Sequence, residues 1–225
     1  MERKIIITKD GSHSVSIPEM NVTYHSIHGA IQESKHVFIE AGLNASPRLH
    51  RPDALNILEV GFGTGLNALL TIIEATDKNY SIHYSTVELY PLTQTEYTSL
   101  NYCEVLHVPS LQTLFTQLHT CDWEKEIKLS EHFTLFKTNQ SLLNFKTDKL
   151  YDLIYFDAFA PAAQPELWAK EVFEKLYAMM SANAILVTYC SKGDVRRAMN
   201  DAGFNVEKLK GPPGKREMIK AKLRF

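Results

Sequence analysis

The chain has 225 residues, 44% hydrophobic and 22% charged, enough for one compact domain with a sizeable core. No apolar run reaches the roughly 18–20 residues of a membrane span, and the charges around the short apolar run of MERKIIITKD leave no signal-peptide core, so a cytoplasmic protein with no membrane partner is expected. The formal net charge of −2 divides into +6 from Lys192 onward and −8 before it, a basic segment on an acidic body that suits either an anionic partner or a solvated, lysine-rich surface.

In chain order, IIITKDGSHSVSIPE alternates and turns like a hairpin around Asp10-Gly11. A helix is expected from about Ile27 to Ala41, ended by Gly42, and Pro47 and Pro52 mark a linker. The expected division is therefore a small α+β extension over 1–52, forming a substrate-side lid, and a main domain over 53–225. From Leu55 the pattern changes. LNILEV reads as a buried strand, LNALLTIIEA as a helix and IHYSTVEL as a second strand; helical material follows from about Thr93 to Leu118. FTLFK and YDLIYF read as strands, PELWAKEVFEKLYAMM as an amphipathic helix opened by Pro165, and AILVTYC as a strand. GDVRRAMNDAGF is a helix closed by Gly203, and NVEKLK with REMIKAKLRF forms a closing antiparallel pair. This alternation implies an α/β fold, a Rossmann-like doubly wound sheet that is mostly parallel with an antiparallel C-terminal strand, and ligands at the carboxyl ends of its strands. Cys103, Cys121 and Cys190 are too far apart in sequence for a zinc or disulfide framework, so no metal is expected.

Gly61, Gly63 and Gly65 lie between a strand and a helix, where glycines permit a tight turn and a close approach of backbone to ligand. A dinucleotide site would want G-x-G-x-x-G, whereas the spacing here is G-x-G-x-G with Leu66 next; no Gly-Lys-Ser/Thr follows, which excludes a phosphate-binding Walker loop. The pattern Glu59-x-Gly61-x-Gly63-x-Gly65 resembles the first motif of class I S-adenosylmethionine-dependent methyltransferases. Glu88 ends the next strand, where that superfamily places the acid that binds both ribose hydroxyls; a carboxylate accepts two hydrogen bonds from a vicinal diol. Asp157 ends another apolar strand, where a charge needs a partner. It reads either as a cap for the next segment or as a substrate-binding group beside the methyl donor.

Taken together, HSIHGAIQESKHVFIEAGL, EVGFGTGLN, VELYPL, DAFAPAAQPELW, VRRAMNDAGF and GPPGKREM resemble the methyltransferase domain of the bifunctional tRNA 5-methylaminomethyl-2-thiouridine biosynthesis proteins and its stand-alone relatives. The resemblance spans about Asp10 to Met218. It implies S-adenosylmethionine as cofactor, tRNA as partner through its anticodon arm, and methylation of the amine of a 5-aminomethyl group on the wobble uridine. Two departures stand out. The chain has no second glycine fingerprint, so no flavin is expected, and the aminomethyl precursor must come from elsewhere or from a separate flavin oxidoreductase partner. The stretch where the family often carries an adenine-binding acid reads LFKTNQSLL, with Thr138 in its place; Thr138 or Asn139 is then expected to accept that hydrogen bond.

In this reading Asp157 is the catalytic residue. A carboxylate of ordinary pKa near 4 is a weak base, so it is expected to orient the amine more than to deprotonate it. Phe159 walls the pocket or stacks on an extruded base. Tyr24, His25, His28 and Glu33 are candidates to touch cofactor or base. Arg196, Arg197, Lys215 and Arg216 are expected to contact phosphates, with the Gly-Pro-Pro-Gly turn presenting Lys215 and Arg216 outward. Competing readings are a small-molecule amine methyltransferase, a polyamine-type aminopropyltransferase, whose diamine would need several pocket acids, and a non-catalytic RNA-binding relative.

Overall fold

The computed structural model describes residues 2–49 and 53–224. At its centre is an eight-stranded sheet made of β4 (Leu55–Val60), β5 (Ile82–Val87), β6 (Glu126–Lys128), β7 (Phe133–Thr138), β8 (Tyr151–Phe156), β9 (Met180–Thr188), β10 (Phe204–Lys210) and β11 (Glu217–Leu223), in the order β10-β11-β9-β8-β4-β5-β7-β6. The five strands from β9 to β7 are parallel; β6 and β11 run against them, and β10, paired antiparallel with β11, runs in their direction. β6 was not legible in the sequence: it is three residues long and pairs only with β7 at the sheet edge.

Parallel strands are buried on both faces, and their sequences show it. In β4, Ile57 faces one apolar cluster and Leu58 the other; in β8, Leu153 and Tyr155 face the first, and Ile154 and Phe156 the second. Helix α2 (Leu66–Lys78) buries most of its first two turns against the first cluster, while α6 (Lys170–Ala178) and α7 (Gly193–Asp201) cover the second. The smaller helices α3 (Gln94–Thr98), α4 (Tyr102–Val105) and α5 (Gln112–Thr120) fill the connection between β5 and β6. Pro165 opens one 3₁₀ turn, Pro165–Trp168, and not the long helix: Ala169 is extended at φ −74°, ψ 155°, and α6 starts after it.

The N-terminal strands β1 (Lys4–Ile7), β2 (His13–Ile17) and β3 (Val22–Thr23) form a separate antiparallel sheet, with the expected hairpin at Asp10-Gly11. Asp10 accepts hydrogen bonds from the backbone N–H of Ser12 (3.0 Å) and of Gln32 (3.0 Å), so one carboxylate fixes the turn and caps the following helix. That helix starts at Ala30, three residues later than expected. Gly29 before it sits at φ 146°, packed against Asp10, outside the helical region. α1 (Ala30–Ser34) then continues as a π-helical stretch, Lys35–Glu40. The boundary expected at Pro52 falls on residues 50–52, outside the described residues. Val15 and Phe38 of the extension belong to the same apolar cluster as Leu55, Ile57 and Tyr155 of the sheet.

Phe38 is therefore the joint between extension and sheet: it is 1% exposed and its ring centroid lies 5.2 Å from that of Tyr155. Phe38→Ala is expected to lower unfolding stability by about 3–5 kcal/mol, read from the denaturant midpoint at unchanged m-value.

Candidate active site

β4 pairs with β5 on one side and with β8 on the other, so strand order reverses there and a crevice opens outside the carboxyl ends. The residue directly after each of these strands is Gly61, Glu88 and Asp157 respectively. Backbone bonds carry the ladder one step beyond the strands and fix all three: Gly61 N–H donates to Val87 O (3.0 Å), Asp157 N–H to Val60 O (3.0 Å) and Glu88 N–H to Thr138 O (3.1 Å).

Gly61 and Gly63 have φ of 90° and 49°. A side chain at Gly61 would put its Cβ 2.7 Å from the carbonyl oxygen of Asp157, and one at Gly63 would put it 2.9 Å from Cδ1 of Tyr24. Only glycine lets the loop lie this close to the β8 end below and the Tyr24 ring above. Gly65 follows at φ 72° and starts α2. The cleft around this loop has a volume of about 800 Å³.

Glu88 lines the cleft. It accepts Gly63 N–H on Oε2 (2.9 Å) and Tyr90 N–H on Oε1 (2.7 Å), so each oxygen keeps a lone pair for a vicinal diol. Thr138 does not line the cleft, contrary to expectation. It ends β7 fully buried, and its hydroxyl donates to Glu124 Oε1 (2.8 Å). Asn139 supports the Glu88 turn by donating to the Glu88 carbonyl (2.8 Å). Gln140 is the residue of this stretch that reaches the cleft. Its amide nitrogen donates to Thr138 Oγ1 (2.6 Å), so that bond does not use its carbonyl oxygen, which is an acceptor.

Glu59 is also not where the sequence pattern put it. It is fully buried beneath the loop and does not line the cleft. Asn67, in the first turn of α2, donates from Nδ2 to both Glu59 Oε1 (3.0 Å) and Asp157 Oδ2 (2.9 Å). Burial pushes the Glu59 carboxyl well above its ordinary range; the Asn67 bond works against this and the Asp157 charge adds to it. Asn67 escaped the sequence reading, although an asparagine inside the apolar LNALL run was its one visible signal.

Asp157 sits half-buried on the cleft floor. Burial raises its pKa, the Glu33 carboxylate raises it further, and the Asn67 hydrogen bond and the Lys215 ammonium pull it back, to about 7. The expectation of an ordinary carboxylate near 4 is thus corrected: at neutral pH this group is poised between acid and base. Phe159 and Tyr24 wall the same space edge to face, with centroids 5.0 Å apart. The DAFAP…QPELW stretch explains why Phe159 is held: its N–H donates to Gln164 Oε1 (3.2 Å) and its carbonyl accepts from Trp168 Nε1 (2.7 Å).

The remaining residues divide by position. His25 borders the cleft, and its Nε2 is engaged by Thr64 Oγ1 (2.6 Å), so through that nitrogen it fastens the N-terminal segment to the glycine loop. Lys215 points inward, not outward: its Nζ donates to Glu33 Oε1 (2.7 Å) and lies 3.7 Å from the Tyr189 ring centroid. Arg216 is exposed, and Arg197 is exposed on α7 and paired with Asp194; neither lines the cleft. Among the described residues no group of three or more His, Cys, Asp or Glu is arranged to hold a metal ion, and no helix is long and apolar enough to cross a membrane.

His25 and His119 flank the glycine loop, and burial holds both near pKa 4, below the ordinary 6.5. Their unfolded forms bind protons that the fold refuses, so their contribution to stability is complete above about pH 6.5 and is lost as pH falls towards 4. A His25→Gln/His119→Gln variant is expected to show a flatter rise of unfolding free energy between pH 4 and 6.5 than the wild type, measured by urea titration at each pH.

Comparison with known proteins bears on this geometry. A family described as S-adenosyl-L-methionine-dependent methyltransferase matches residues 100–224. The tRNA 5-methylaminomethyl-2-thiouridine biosynthesis bifunctional protein MnmC of Pseudoalteromonas atlantica is 30% identical over 216 residues, covering 88% of this chain and 30% of that protein. Its namesake from Aromatoleum aromaticum is 32% identical over 214 residues, covering 89% and 32%. The chain thus spans about a third of the length of these curated relatives. Among solved structures, MNMC2 from Aquifex aeolicus superposes with a TM-score of 0.78 at 22% identity, covering 99% of this chain and 70% of that one. Human methyltransferase-like protein 13, in complex with SAH, gives 0.51 at 14% identity, covering 86% and 82%. Both share the fold described above. With the sheet order, the glycine loop and the strand-end acids in agreement, the chain belongs to the S-adenosyl-L-methionine-dependent methyltransferase family.

Proposed function

We propose that the protein methylates the primary amine of a 5-aminomethyl group on the wobble uridine of tRNA, giving 5-methylaminomethyluridine, with or without 2-thiolation. The observation that carries this reading is Asp157: a carboxyl with its pKa raised to about 7, on the floor of the cleft that the glycine loop lines and beneath the Tyr24 and Phe159 rings. The names of the relatives from Pseudoalteromonas and Aromatoleum support the choice of a tRNA amine.

The cleft fits the cofactor. Gly61 and Gly63 leave a cradle that side chains would fill, Glu88 offers its two oxygens to the ribose diol, and the Gln140 carbonyl takes the place of an acid as acceptor for the adenine amino group. When bound, S-adenosylmethionine supplies an electrophilic methyl group on a good leaving group. The chain's own task is at the amine, whose lone pair must be free. Asp157 in its ionised form accepts a hydrogen bond from that amine, orients it and takes its proton, a task for which a pKa near the working pH is suited. Tyr24 and Phe159 keep water away and offer a stacking surface for an extruded base.

On this reading Arg196, Arg197 and Arg216 serve as phosphate contacts for the anticodon arm outside the cleft, the reaction belongs in the cytoplasm, and the aminomethyl precursor is supplied by another protein, a flavin oxidoreductase where a carboxymethyl group must first be removed. An aminopropyltransferase is disfavoured by one feature: Glu33, the cleft-lining acid whose charge acts on Asp157, is already held by Lys215, so the second ammonium of a diamine would meet a cation.

With labelled S-adenosylmethionine, label is expected to enter tRNA bearing 5-aminomethyluridine and not unmodified transcript. Asp157→Asn is expected to lower kcat by about 10²–10⁴-fold with cofactor affinity retained. Gly63→Ala is expected to weaken cofactor affinity at least tenfold by calorimetry, because its Cβ would displace Tyr24 from the loop. Label entering small amines but no tRNA would overturn the tRNA reading.

A further inference from the structure

Lys215 is an ammonium brought from the far end of the chain into a cleft whose proposed chemistry requires an uncharged amine. Its placement is built in. Lys215 N–H donates to Pro212 O (2.9 Å) and Gly211 N–H to Arg216 O (3.1 Å), closing the turn between β10 and β11, and Gly214, at φ 84°, packs on the His28 ring. The turn aims the side chain inward, across the Tyr189 ring, onto Glu33. Glu33 is 5% exposed, and its second oxygen accepts Ser26 N–H (2.7 Å), so neither member of the pair is a freely moving surface charge.

The groups that face Asp157 are Glu33 from α1, Lys215 from the β10–β11 turn, Glu59 from β4, Tyr84 from β5 and Tyr189 after β9. Burial keeps Tyr84 and Tyr189 protonated and pushes Glu59 well above its ordinary range. Glu33 and Lys215 are the carboxylate and the ammonium beside Asp157 that also line the cleft, whereas Glu59 does not.

We propose that Glu33 and Lys215 form a charge-balancing pair whose ammonium cancels the Glu33 carboxylate beside Asp157, so that the incoming amine meets one negative charge and not two and reaches the reacting position neutral. Lys215 is on this account a positioning residue that acts through Glu33 and Asp157. The inference rests on the amine-methylation reading. Removing Lys215 would leave two like charges in a poorly hydrated cleft. Both Asp157 and the substrate ammonium would then hold their protons to higher pH. Removing Glu33 alone would have the opposite effect, and removing both would restore the balance.

Titration of the ¹³C-labelled Asp157 carboxyl by NMR reads this balance without substrate. The midpoint is expected to rise by about one pH unit in Lys215→Met, to fall in Glu33→Gln and to return near wild type in the double variant. With aminomethylated tRNA, the acid limb of kcat/KM follows the same order. The Lys215→Met rate is then about tenfold down at pH 7 and recovers in alkaline buffer, and Lys215→Arg keeps the wild-type profile. An Asp157 midpoint that moves in neither single variant overturns the inference. So does a rate lost by the same factor at every pH, which would make Lys215 a packing contact. If the midpoints move as stated but the wild type does not methylate the tRNA, the pairing stands and the substrate reading fails.

Discussion

One amide between two carboxyl groups governs the site. Asn67 gives a hydrogen to Glu59 and another to Asp157, and the buried hydroxyls of Tyr84 and Thr86 act on the same Glu59 carboxyl. Buried polar groups of this kind are costly unless they hold each other in place. The arrangement depends on where α2 begins, because Asn67 is in its first turn, and α2 begins where the glycine loop ends. The glycine loop and the Asp157 carboxyl on the cleft floor are thus joined through a single side chain. A shift of one would be felt at the other, which gives the two halves of a group-transfer site a fixed separation without any contact between ligands.

The sequence showed the parts of this site that are local. A short apolar strand followed by glycines, and an acid directly after an apolar strand, announce Gly61, Gly63, Glu88 and Asp157, because strand end and site residue are neighbours in the chain. It did not show the parts that depend on direction. Thr138 and Glu59 occupy the right places along their strands but face Glu124 and the interior below the loop. A pattern fixes where a strand stops more firmly than what its last side chain touches. Partners distant in sequence were equally hidden: Glu33 and Lys215 are 182 positions apart, and only the fold brings them to one wall.

Charge counting is blind to pairing in a related way. The C-terminal segment carries +6, which suits either an anionic partner or a solvated, lysine-rich surface. The pairs Lys208–Glu217 and Lys220–Glu207 lie within the segment and are already netted out of that figure, whereas Lys215 is turned into the cleft onto Glu33, an acid from outside it. What the segment offers to a partner is its net charge less the cation held by an acid from elsewhere in the chain. A salt bridge on an exposed strand contributes little to stability, but it still removes a cation from the surface available to an anion.

The two sides of the cleft have different origins. One side is made by the strand ends and turns of the central sheet. The other is made by residues from the two ends of the chain: Tyr24 and Glu33 from the N-terminal segment, and Lys215 from the last hairpin. The extension shares its apolar cluster with the sheet through Phe38, so in this structure it is packed as one wall of the cleft. A wall fixed in this way presets the charge and the aromatic surface that an acceptor meets before it arrives. Preorganised charges stabilise a developing charge without reorienting at the moment of reaction. The acceptor chosen by such a cleft is then decided less by the shared fold than by the few side chains that the chain ends bring to it.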